Sequence, residues 1–228
     1  DRAVKDLCSM AVSYLKTTYG SGYPDYIDKL VSLKGKVRNL RILDRMIDRG
    51  INSPYTSSCG RLFDGVSAML GICAEADYEG QGAVRLETAA ARNIGCALEF
   101  DIVKDGGLYI YDWRSTVEDI VNLCLKGEDI SFIASAFHNT VAAAGVRLSE
   151  LVREDTGINK IVLFGGVFQN GIILDRVVKS LTDRGFEVYT HGRVSTNDEG
   201  ISVGQLVIAQ NGGGLYVPCG TVTDNIDR

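Results

Sequence analysis

The stretch of this sequence that decides the fold is Ile161-Val162-Leu163-Phe164-Gly165-Gly166-Val167-Phe168-Gln169-Asn170. Its first four residues are apolar and include β-branched members, which predicts a strand buried on both faces. The two glycines let the backbone turn sharply where a side chain would block a ligand. Helical spacing of Ile173, Val177 and Leu181 predicts a helix over 170–184, whose N-terminal amides point back at the glycine turn. Such a turn suits a nucleotide phosphate, and it equally suits an ordinary strand-to-helix connection.

The second half of the chain alternates helices and strands. Strands are predicted over 160–164 and 186–190, and helices over 170–184 and 198–210. This alternation implies parallel strands that are joined by right-handed crossovers. Ligands of such sheets lie beyond the carboxyl ends of the strands, so we expect the loops that follow the two strands to face one crevice.

The first half has a different pattern, in which apolar residues recur at three- and four-residue spacing. Between the halves, alternating residues over 96–103 and 108–111 flank the turn Asp105-Gly106-Gly107, which predicts a β-hairpin. The chain is therefore expected to be helical first and α/β afterwards. The helices of the first half are predicted over 4–17, 25–33, 36–49, 57–70 and 82–93.

Two further helix starts carry side chains that can cap them. Ser115 is followed three residues later by Glu118, which fits a capping box. Asp129 precedes a long apolar-periodic segment, and it is expected to cap a helix that runs through Ser149 or beyond.

The composition is that of an ordinary globular protein. The 228 residues are 45% hydrophobic and 23% charged, with a net charge of −5. Nucleic acid is not an expected partner, because the most basic segment, Lys29 to Arg49, has leucines at helical spacing and is interpreted as a solvated helix face. No apolar run approaches the roughly 20 residues of a membrane span. Six cysteines without a paired spacing indicate reduced thiols and a cytoplasmic location.

A second candidate site is the loop Ser195-Thr196-Asn197-Asp198-Glu199-Gly200. Thr196 and Glu199 fit a capping box, and acidic residues are favoured in the first turn of a helix. Asp198 could also be a metal ligand, since carboxylate oxygens bind divalent cations. Both interpretations stay open.

Histidines and cysteines give weaker candidates. The two histidines do not form a metal-ligand pair. His138 is interpreted as a hydrogen-bonded packing residue, whereas His191, at the end of a predicted strand, is a weak catalytic candidate. Cys59 lies near a helix start, where the pKa of a thiol can fall, although a buried helical cysteine is the simpler interpretation. No Ser-His-Asp order stands out.

Four sequence pieces, taken in order, resemble one family. They are Ile51-Asn52-Ser53-Pro54 with the following Thr56 to Asp64, then Tyr78-Glu79-Gly80-Gln81, then Gly165 to Asn170, then Asn197-Asp198-Glu199-Gly200. Together they resemble the hydrogenase maturation carbamoyltransferases of the HypF family. The likeness covers almost the whole chain and falls on the C-terminal lobe of that family's last domain.

The resemblance implies a fold. It is an α/β lobe of the actin-like ATPase, ribonuclease H-like, class, with parallel strands, a β-hairpin and several helices packed around them. The lobe would occupy 1–210, with a helical part over about 1–94 and an α/β part over about 95–210. Residues 211–228 would form a polar tail.

The resemblance also implies a reaction in two stages. Carbamoyl phosphate and ATP, with Mg, first give carbamoyl adenylate in a separate upstream domain. The present type of domain then passes the carbamoyl group to the C-terminal cysteine of a partner hydrogenase maturation protein. The resulting thiocarboxamide is later dehydrated to the cyanide ligand of nickel-iron hydrogenase.

Individual residues take roles from the same resemblance. Asp64 corresponds to the acid that holds the ribose hydroxyls in the related tRNA-modifying proteins, a task that suits a carboxylate because it accepts two hydrogen bonds at once. Asp198 corresponds to one ligand of a divalent metal, iron or zinc, that is shared with an N-terminal lobe. No catalytic base is implied. The implied nucleotide-binding residues are Asp64, Glu79, Gly80, Gln81, Gly165, Gly166 and Asn170.

The resemblance further implies that the other metal ligands are histidines of an upstream HxxxH-type motif, and neither this motif nor the upstream domains of the family have a counterpart in this sequence. The chain is therefore expected to be a fragment that folds and does not catalyse the overall reaction alone. Two other functions stay open. One is a non-catalytic nucleotide-binding or partner-docking module, and the other is a lobe of a carbamoyltransferase that acts on a small-molecule hydroxyl.

Overall fold

The computed structural model describes residues 2–37, 39–91, 94–192, 194–211, 216–217 and 220–221. Short 3₁₀ turns lie at Gly20–Gly22, Gly166–Gln169 and Asp198–Gly200. The strands of the described residues are β1 (Asp101–Asp105), β2 (Leu108–Asp112), β3 (Lys160–Val162), β4 (Glu187–Tyr189), β5 (Tyr216–Val217) and β6 (Gly220–Thr221). The helices are α1 (Arg2–Lys5), α2 (Leu7–Tyr19), α3 (Tyr23–Lys29), α4 (Leu40–Arg49), α5 (Cys59–Met69), α6 (Gln81–Ala89), α7 (Arg114–Lys126), α8 (Ile130–Thr156), α9 (Gly171–Asp183) and α10 (Ile201–Asn211).

Helices α2 and α5 form the centre of the helical half. Leu15 of α2 and Val66 of α5 are both fully buried. Gly65 lets the two helices approach closely, because a Cβ at this position would lie 2.6 Å from the ring of Tyr14. Burying a large apolar side chain contributes roughly 1.5–3 kcal/mol, so this contact is a main source of stability for the helical half.

The helices predicted over 25–33 and 36–49 differ from the observed ones. Helix α3 ends at Lys29, and the chain turns before α4 begins at Leu40. Asn39 has a φ of 54°, a left-handed conformation that interrupts a right-handed helix. The interpretation of the basic segment as a solvated helix face holds for α4, where Arg41, Arg45 and Arg49 are exposed, but the described residues between α3 and α4 form turns and no helix face. The leucines at 30 and 33 lie in the turns and are buried.

The predicted hairpin is confirmed, since β1 and β2 pair antiparallel with Asp101 opposite Asp112. It is shorter than predicted because residues 96–100 lie outside the strand. Side chains of α8 bind this backbone instead. Asn139 Nδ2 donates to the carbonyl of Cys96 at 2.5 Å, and the Leu98 amide donates to a threonine hydroxyl of α8 at 2.8 Å.

The two predicted caps of the central helices had different outcomes. The capping box at Ser115 was wrong: this serine lies inside the first turn of α7, and Asp112 accepts the amide hydrogen of the first helical residue at 3.1 Å. The Asp129 cap is confirmed, because its carboxylate accepts from the amides of Ser131 and Phe132 at 2.7 and 3.3 Å. Helix α8 then runs for 27 residues.

The α/β half has the predicted parallel pair. The prediction that the first strand is buried on both faces was wrong, since Val162 is 61% exposed and β3 pairs only with β4 among the described residues. Strand β3 pairs with β4, with Ile161 opposite Val188, and α9 makes the crossover between them. The predicted apolar face of α9, Ile173, Val177 and Leu181, is buried against α8. The long helix α8 therefore holds both the hairpin segment and the parallel pair.

Helix α10 has a mostly apolar sequence, and its large apolar side chains are exposed. Val203 is 42% exposed and Leu206 is 62% exposed, while Phe164, just after β3, is 71% exposed. Among the described residues, no helix combines the length and apolarity that crossing a membrane requires. Strands β5 and β6 form a short antiparallel pair, and the rest of the predicted polar tail beyond Asn211 lies outside the described residues.

Candidate functional site

Arg61 and Asp64 lie one turn apart on α5, at a spacing that makes them neighbours on the helix surface. Arg61 Nη1 is 3.0 Å from Asp64 Oδ2. Arg61 Nη2 is also 3.7 Å from Oε1 of Glu79, in the loop before α6. One guanidinium therefore bridges two carboxylates for which the family resemblance implies a role in nucleotide binding.

The carboxylate of Asp64 is almost fully buried, with 2% of the residue exposed. Burial raises the pKa of Asp64 to about 6, while Arg61 lowers it and Glu79 raises it further. Asp64 Oδ2 and Arg61 Nη1 are close enough for an ion pair, yet neither atom has a hydrogen bond of regular geometry. Buried polar atoms are usually hydrogen-bonded, so this pair keeps unused bonding capacity.

The Tyr78–Gln81 loop lies beside Asp64 and begins α6. Gly80 has a φ of 84°, which glycine adopts readily, and the helix starts at the next residue. Gln81 is buried, and its Oε1 accepts the Asp77 amide hydrogen at 2.8 Å. Glu79 points outward, with its side chain 81% exposed. The structure thus brings Glu79, Gly80 and Gln81 to Asp64, and their contact with a nucleotide stays a prediction.

The glycine turn contacts the loop that contains Asp198. The Gly165 amide donates to the Thr196 carbonyl at 2.8 Å, and Thr196 Oγ1 donates to the Gly165 carbonyl at 3.2 Å. The two loops therefore meet as predicted, and the crevice expected between them stays a prediction. A Cβ placed on Gly165 or Gly166 would meet no atom within 4 Å, so open space lies beside the turn.

Asp198 begins a 3₁₀ turn and is exposed. The capping box of Thr196 with Glu199 was wrong, because Asn197 Oδ1 accepts the Glu199 amide hydrogen at 3.1 Å and Thr196 binds the glycine turn. Gly200 is needed here, since a Cβ would lie 2.5 Å from the Ser195 carbonyl oxygen. The described residues contain no group of three side chains that could hold a metal, and the metal role of Asp198 stays a prediction.

Asn170 is buried, and both ends of its side chain bind the protein. Its Oδ1 accepts the Ile173 amide hydrogen at 3.0 Å and caps α9, while its Nδ2 lies 3.0 Å from His138 Nε2. His138 Nδ1 lies 2.7 Å from the Ala134 carbonyl oxygen. Burial lowers the pKa of His138, which favours the neutral ring that both contacts require. The interpretation of His138 as a hydrogen-bonded packing residue is confirmed, and Asn170 has a structural role beside its predicted nucleotide contact.

The two groups of predicted site residues are joined by packing and hydrogen bonds between α5, α6, α8 and the start of α9. The ring of Phe63, next to Asp64 on α5, packs edge-on against His138 with centroids 5.3 Å apart. Glu87 of α6 accepts the Gly171 amide hydrogen, at the start of α9, at 2.8 Å. The 3₁₀ turn after Gly165 also packs on α5. The Asp64 and Gly165 groups are consequently parts of one packed unit.

The weaker sequence candidates receive little support as catalysts. Burial raises the pKa of the Cys59 thiol to about 11, which disfavours a reactive thiolate and fits the simpler interpretation of this residue. His191 is exposed, and its catalytic role stays a prediction.

Three contributors to the site were missed by the sequence reasoning: Arg61, Thr196 and Glu87. The spacing of Arg61 to Asp64 was a usable signal, because oppositely charged residues three apart on a helix meet. Thr196 and Glu87 act on residues 31 and 84 positions away, and no local pattern encodes such contacts.

The fold and these two groups match one class of protein. The family model described as "Carbamoyltransferase, Kae1-like Domain, second subdomain" matches residues 1–205. The chain belongs to this carbamoyltransferase family. This finding confirms the resemblance that the four sequence pieces suggested.

Several of the similar proteins are named HypF. A probable carbamoyltransferase HypF of Methanocaldococcus jannaschii is 33% identical over 93% of this chain and 27% of its own length. The crystal structure of full-length HypF in a phosphate- and nucleotide-bound form matches with a TM-score of 0.83 and 38% identity, over 91% of this chain and 27% of that one. The chain thus spans about a quarter of the length of these relatives.

A third match supports the fold. The crystal structure of T. kodakarensis HypF, at 24% identity, covers 91% of this chain and 28% of that one with a TM-score of 0.75. The predicted α/β lobe of the actin-like class is therefore confirmed.

Proposed function

We propose that this chain is the nucleotide-facing lobe of a carbamoyltransferase that serves [NiFe]-hydrogenase maturation. In the whole protein, carbamoyl phosphate and ATP, with Mg, would give carbamoyl adenylate. The carbamoyl group would then pass to the C-terminal cysteine of a partner maturation protein. Membership of the carbamoyltransferase family supports the reaction class, while the substrates, the partner and the site residues belong to this proposal.

The observation that carries the proposal is the pairing of Gly165 with Thr196. Two hydrogen bonds fix an open glycine turn directly against the loop of Asp198. A glycine turn before a helix exposes backbone amides to an anion, and an adjacent carboxylate can hold a cation. This arrangement fits carbamoyl adenylate and a divalent metal bound next to each other.

Asp64 would supply the nucleoside end of the site. Its carboxylate can accept hydrogen bonds from two ribose hydroxyls, and one of its oxygens has no regular hydrogen bond in the protein. Because the residue is buried, the Tyr78–Gln81 loop has to move before a nucleoside reaches it. Glu79 and Gly80, in that loop, would flank the nucleoside.

Asp198 fits the role of a single metal ligand. Its side chain is exposed, and within the part of the chain that the structure describes it forms no hydrogen bond or ion pair that would have to be broken. A bound iron or zinc ion would supply a Lewis acid to polarise a carbamoyl carbonyl group. Further ligands would come from the first subdomain of the domain. Gly200 keeps the loop tight and so fixes the position of the carboxylate.

The test joins this chain to a first subdomain of the family. We expect the joined protein to bind ATP by calorimetry, to bind about one divalent metal ion, and to carbamoylate a peptide with a C-terminal cysteine when carbamoyl adenylate is supplied. Asp198→Ala should abolish metal binding while ATP binding persists. Asp175→Ala, an exchange at another acidic residue of the α/β half, serves as the matched control. Carbamoyl transfer by the 228-residue chain alone would contradict the proposal.

A non-catalytic docking module is the second candidate function. The burial of Asp64 and the full engagement of the Asn170 side chain favour it, since both residues are closed to ligands in this structure. If the joined protein binds neither nucleotide nor metal but still binds the partner protein, this result would support the docking function. Transfer to a small-molecule hydroxyl in preference to the cysteine peptide would instead indicate an O-carbamoyltransferase.

A further inference from the structure

We propose that Arg61 is a positioning residue for the nucleoside end of the site, where it orients the Asp64 carboxylate and holds the Tyr78–Gln81 loop over it. The contact between Arg61 and Glu79 that holds the loop is called the clasp. Releasing the Glu79 contact would open the loop and expose the Arg61–Asp64 pair to the diol of a ribose. This inference rests on the proposed function, because it describes how the same site receives its nucleotide.

The two contacts of Arg61 differ in strength. The Asp64 side chain is 3% exposed and lies 3.0 Å from the guanidinium. The Glu79 side chain is 81% exposed and lies 3.7 Å away. Exposed ion pairs are weak and screened by salt, whereas removing one partner of a buried pair is costly. The outer contact should therefore break first, and the inner pair should stay formed while the loop opens.

The inner pair has the chemistry to receive a diol. Asp64 Oδ2 is a buried acceptor and Arg61 Nη1 is a buried donor, and neither has a hydrogen-bond partner of regular geometry. A ribose hydroxyl can donate to the first atom while the oxygen of the neighbouring hydroxyl accepts from the second. A vicinal diol thus satisfies both atoms that the protein leaves unsatisfied.

The charges around Asp64 make loop opening and ligand binding cooperative. Arg61, on α5, favours the ionised carboxylate, and Glu79, in the loop, opposes it. The other titratable groups beside Asp64 are Tyr14 of α2 and Cys73 after α5, and burial raises the pKa of both, so they stay neutral near pH 7. Moving Glu79 away removes the opposing charge, and Asp64 becomes a better acceptor when the loop is open.

The experiment compares Arg61→Gln, Arg61→Lys and Glu79→Gln in the chain joined to a first subdomain. The probes are ATP and 2′,3′-dideoxy-ATP, titrated between pH 5 and pH 8. The wild type should prefer ATP, and Arg61→Gln should lose roughly tenfold or more of that preference, as expected for a charge-assisted contact. As the pH is lowered, the affinity of Arg61→Gln for ATP should begin to fall at a higher pH than that of the wild type, because Asp64 is protonated more easily without the arginine. Arg61→Lys keeps the charge and should restore the pH profile.

Hydrogen exchange on the 228-residue chain gives a readout that needs no nucleotide. Glu79→Gln should speed amide exchange in residues 78–82, and Glu75→Gln, an acid outside the clasp, should not. Unchanged exchange in Glu79→Gln would show that the contact between Arg61 and Glu79 does not hold the loop. This result stands even if Arg61→Gln does not fold.

The binding data separate the two proposals. If the wild type binds ATP and Arg61→Gln keeps the same sugar preference and pH profile, the positioning role is wrong and the proposed function stands. If the wild type binds no nucleotide, the proposed nucleotide site is wrong, and the exchange experiment still decides whether Arg61 clasps the loop.

Discussion

The two halves of the lobe hold their predicted ligand residues in opposite ways. In the helical half, Asp64 is buried beside the start of α6 and held by a side-chain ion pair with Arg61. In the α/β half, Asp198 is exposed, and its loop is fixed to the backbone of Gly165 by one hydrogen bond to the Thr196 carbonyl and one from the Thr196 hydroxyl. Side-chain packing therefore controls the first group and backbone geometry controls the second. Asn170, bonded to His138, lies at the junction of the two.

Breaking the junction should have the largest effect. Asn170→Ala removes the cap of α9 and leaves His138 Nε2 buried without a partner. A lost cap costs about 1 kcal/mol and an unsatisfied buried group costs about 1–3 kcal/mol, so we expect a loss of about 2–4 kcal/mol in the free energy of unfolding, measured in urea.

Asn197→Ala is the matched control for Asn170→Ala, since it removes a cap and the hydrogen bond from the Ser195 hydroxyl at a half-buried turn, and leaves no fully buried group without a partner. Its cost should stay below about 1 kcal/mol. Equal losses in the two variants would show that the buried contact to His138 adds nothing.

The burial of Asp64 should be visible as a pH dependence of stability. Its pKa is raised to about 6 in the folded chain, so the contribution of this group is fully present below the unfolded pKa of about 4 and is lost as the pH rises through 6. The loss amounts to at most about 3 kcal/mol. Asp64→Asn should remove this slope from a series of urea unfolding curves between pH 4 and pH 7.

Asp44 gives a control of opposite sign. Hydrogen bonds from Lys16 and Tyr23 hold the pKa of Asp44 below its usual range, so its contribution is present above the unfolded pKa and is lost as the pH falls. Asp44→Asn should flatten the acid side of the stability profile and leave the slope between pH 4 and pH 6 in place. A slope that persists in Asp64→Asn would place its origin elsewhere.

Local patterns were enough to predict much of the fold. The spacing of Ile173, Val177 and Leu181 gave the buried face of α9, and Asp129 capped α8 as expected. The parallel pair and the meeting of the two loops followed from general rules for α/β sheets. These features depend on residues within a few positions of each other or on topology that physics restricts strongly.

The predictions failed where distant residues decide the local backbone. Residues 96–100 alternate as a strand would, but Asn139 binds the carbonyl of Cys96 from 43 positions away. Ser115 looked like a cap, but the backbone before α7 places Asp112 there. Asparagine can adopt the left-handed conformation seen at Asn39, but the presence of asparagine does not by itself predict that conformation. The burial of Asp64 likewise depends on α6, which its own motif does not describe.

Close packing around Asp64 can be tested at Gly82. A Cβ there would lie 2.6 Å from Leu7 Cδ2 and 2.8 Å from Asp64 Oδ1, so Gly82→Ala should force α6 away from α5. Overpacking typically costs about 1–3 kcal/mol, partly offset by the better helix propensity of alanine. Gly145→Ala, in open space on α8, should instead gain up to about 1 kcal/mol. If Gly82→Ala were equally stabilising, the contact between α5 and α6 would be looser than the structure has it.

The glycine turn should respond to backbone geometry alone, and this is the smallest expected effect. Gly165 has a φ of 100° and a ψ of 162°, a region that residues with a Cβ rarely adopt, although open space surrounds it. Gly165→Ala should therefore cost about 1–2 kcal/mol in thermal unfolding. Gly166→Ala has the same open surroundings without a positive φ, and it should stay within about 0.5 kcal/mol of the wild type. The two variants separate backbone strain from crowding. Equal losses of stability would mean that contacts, and not the backbone conformation of Gly165, fix the glycine turn.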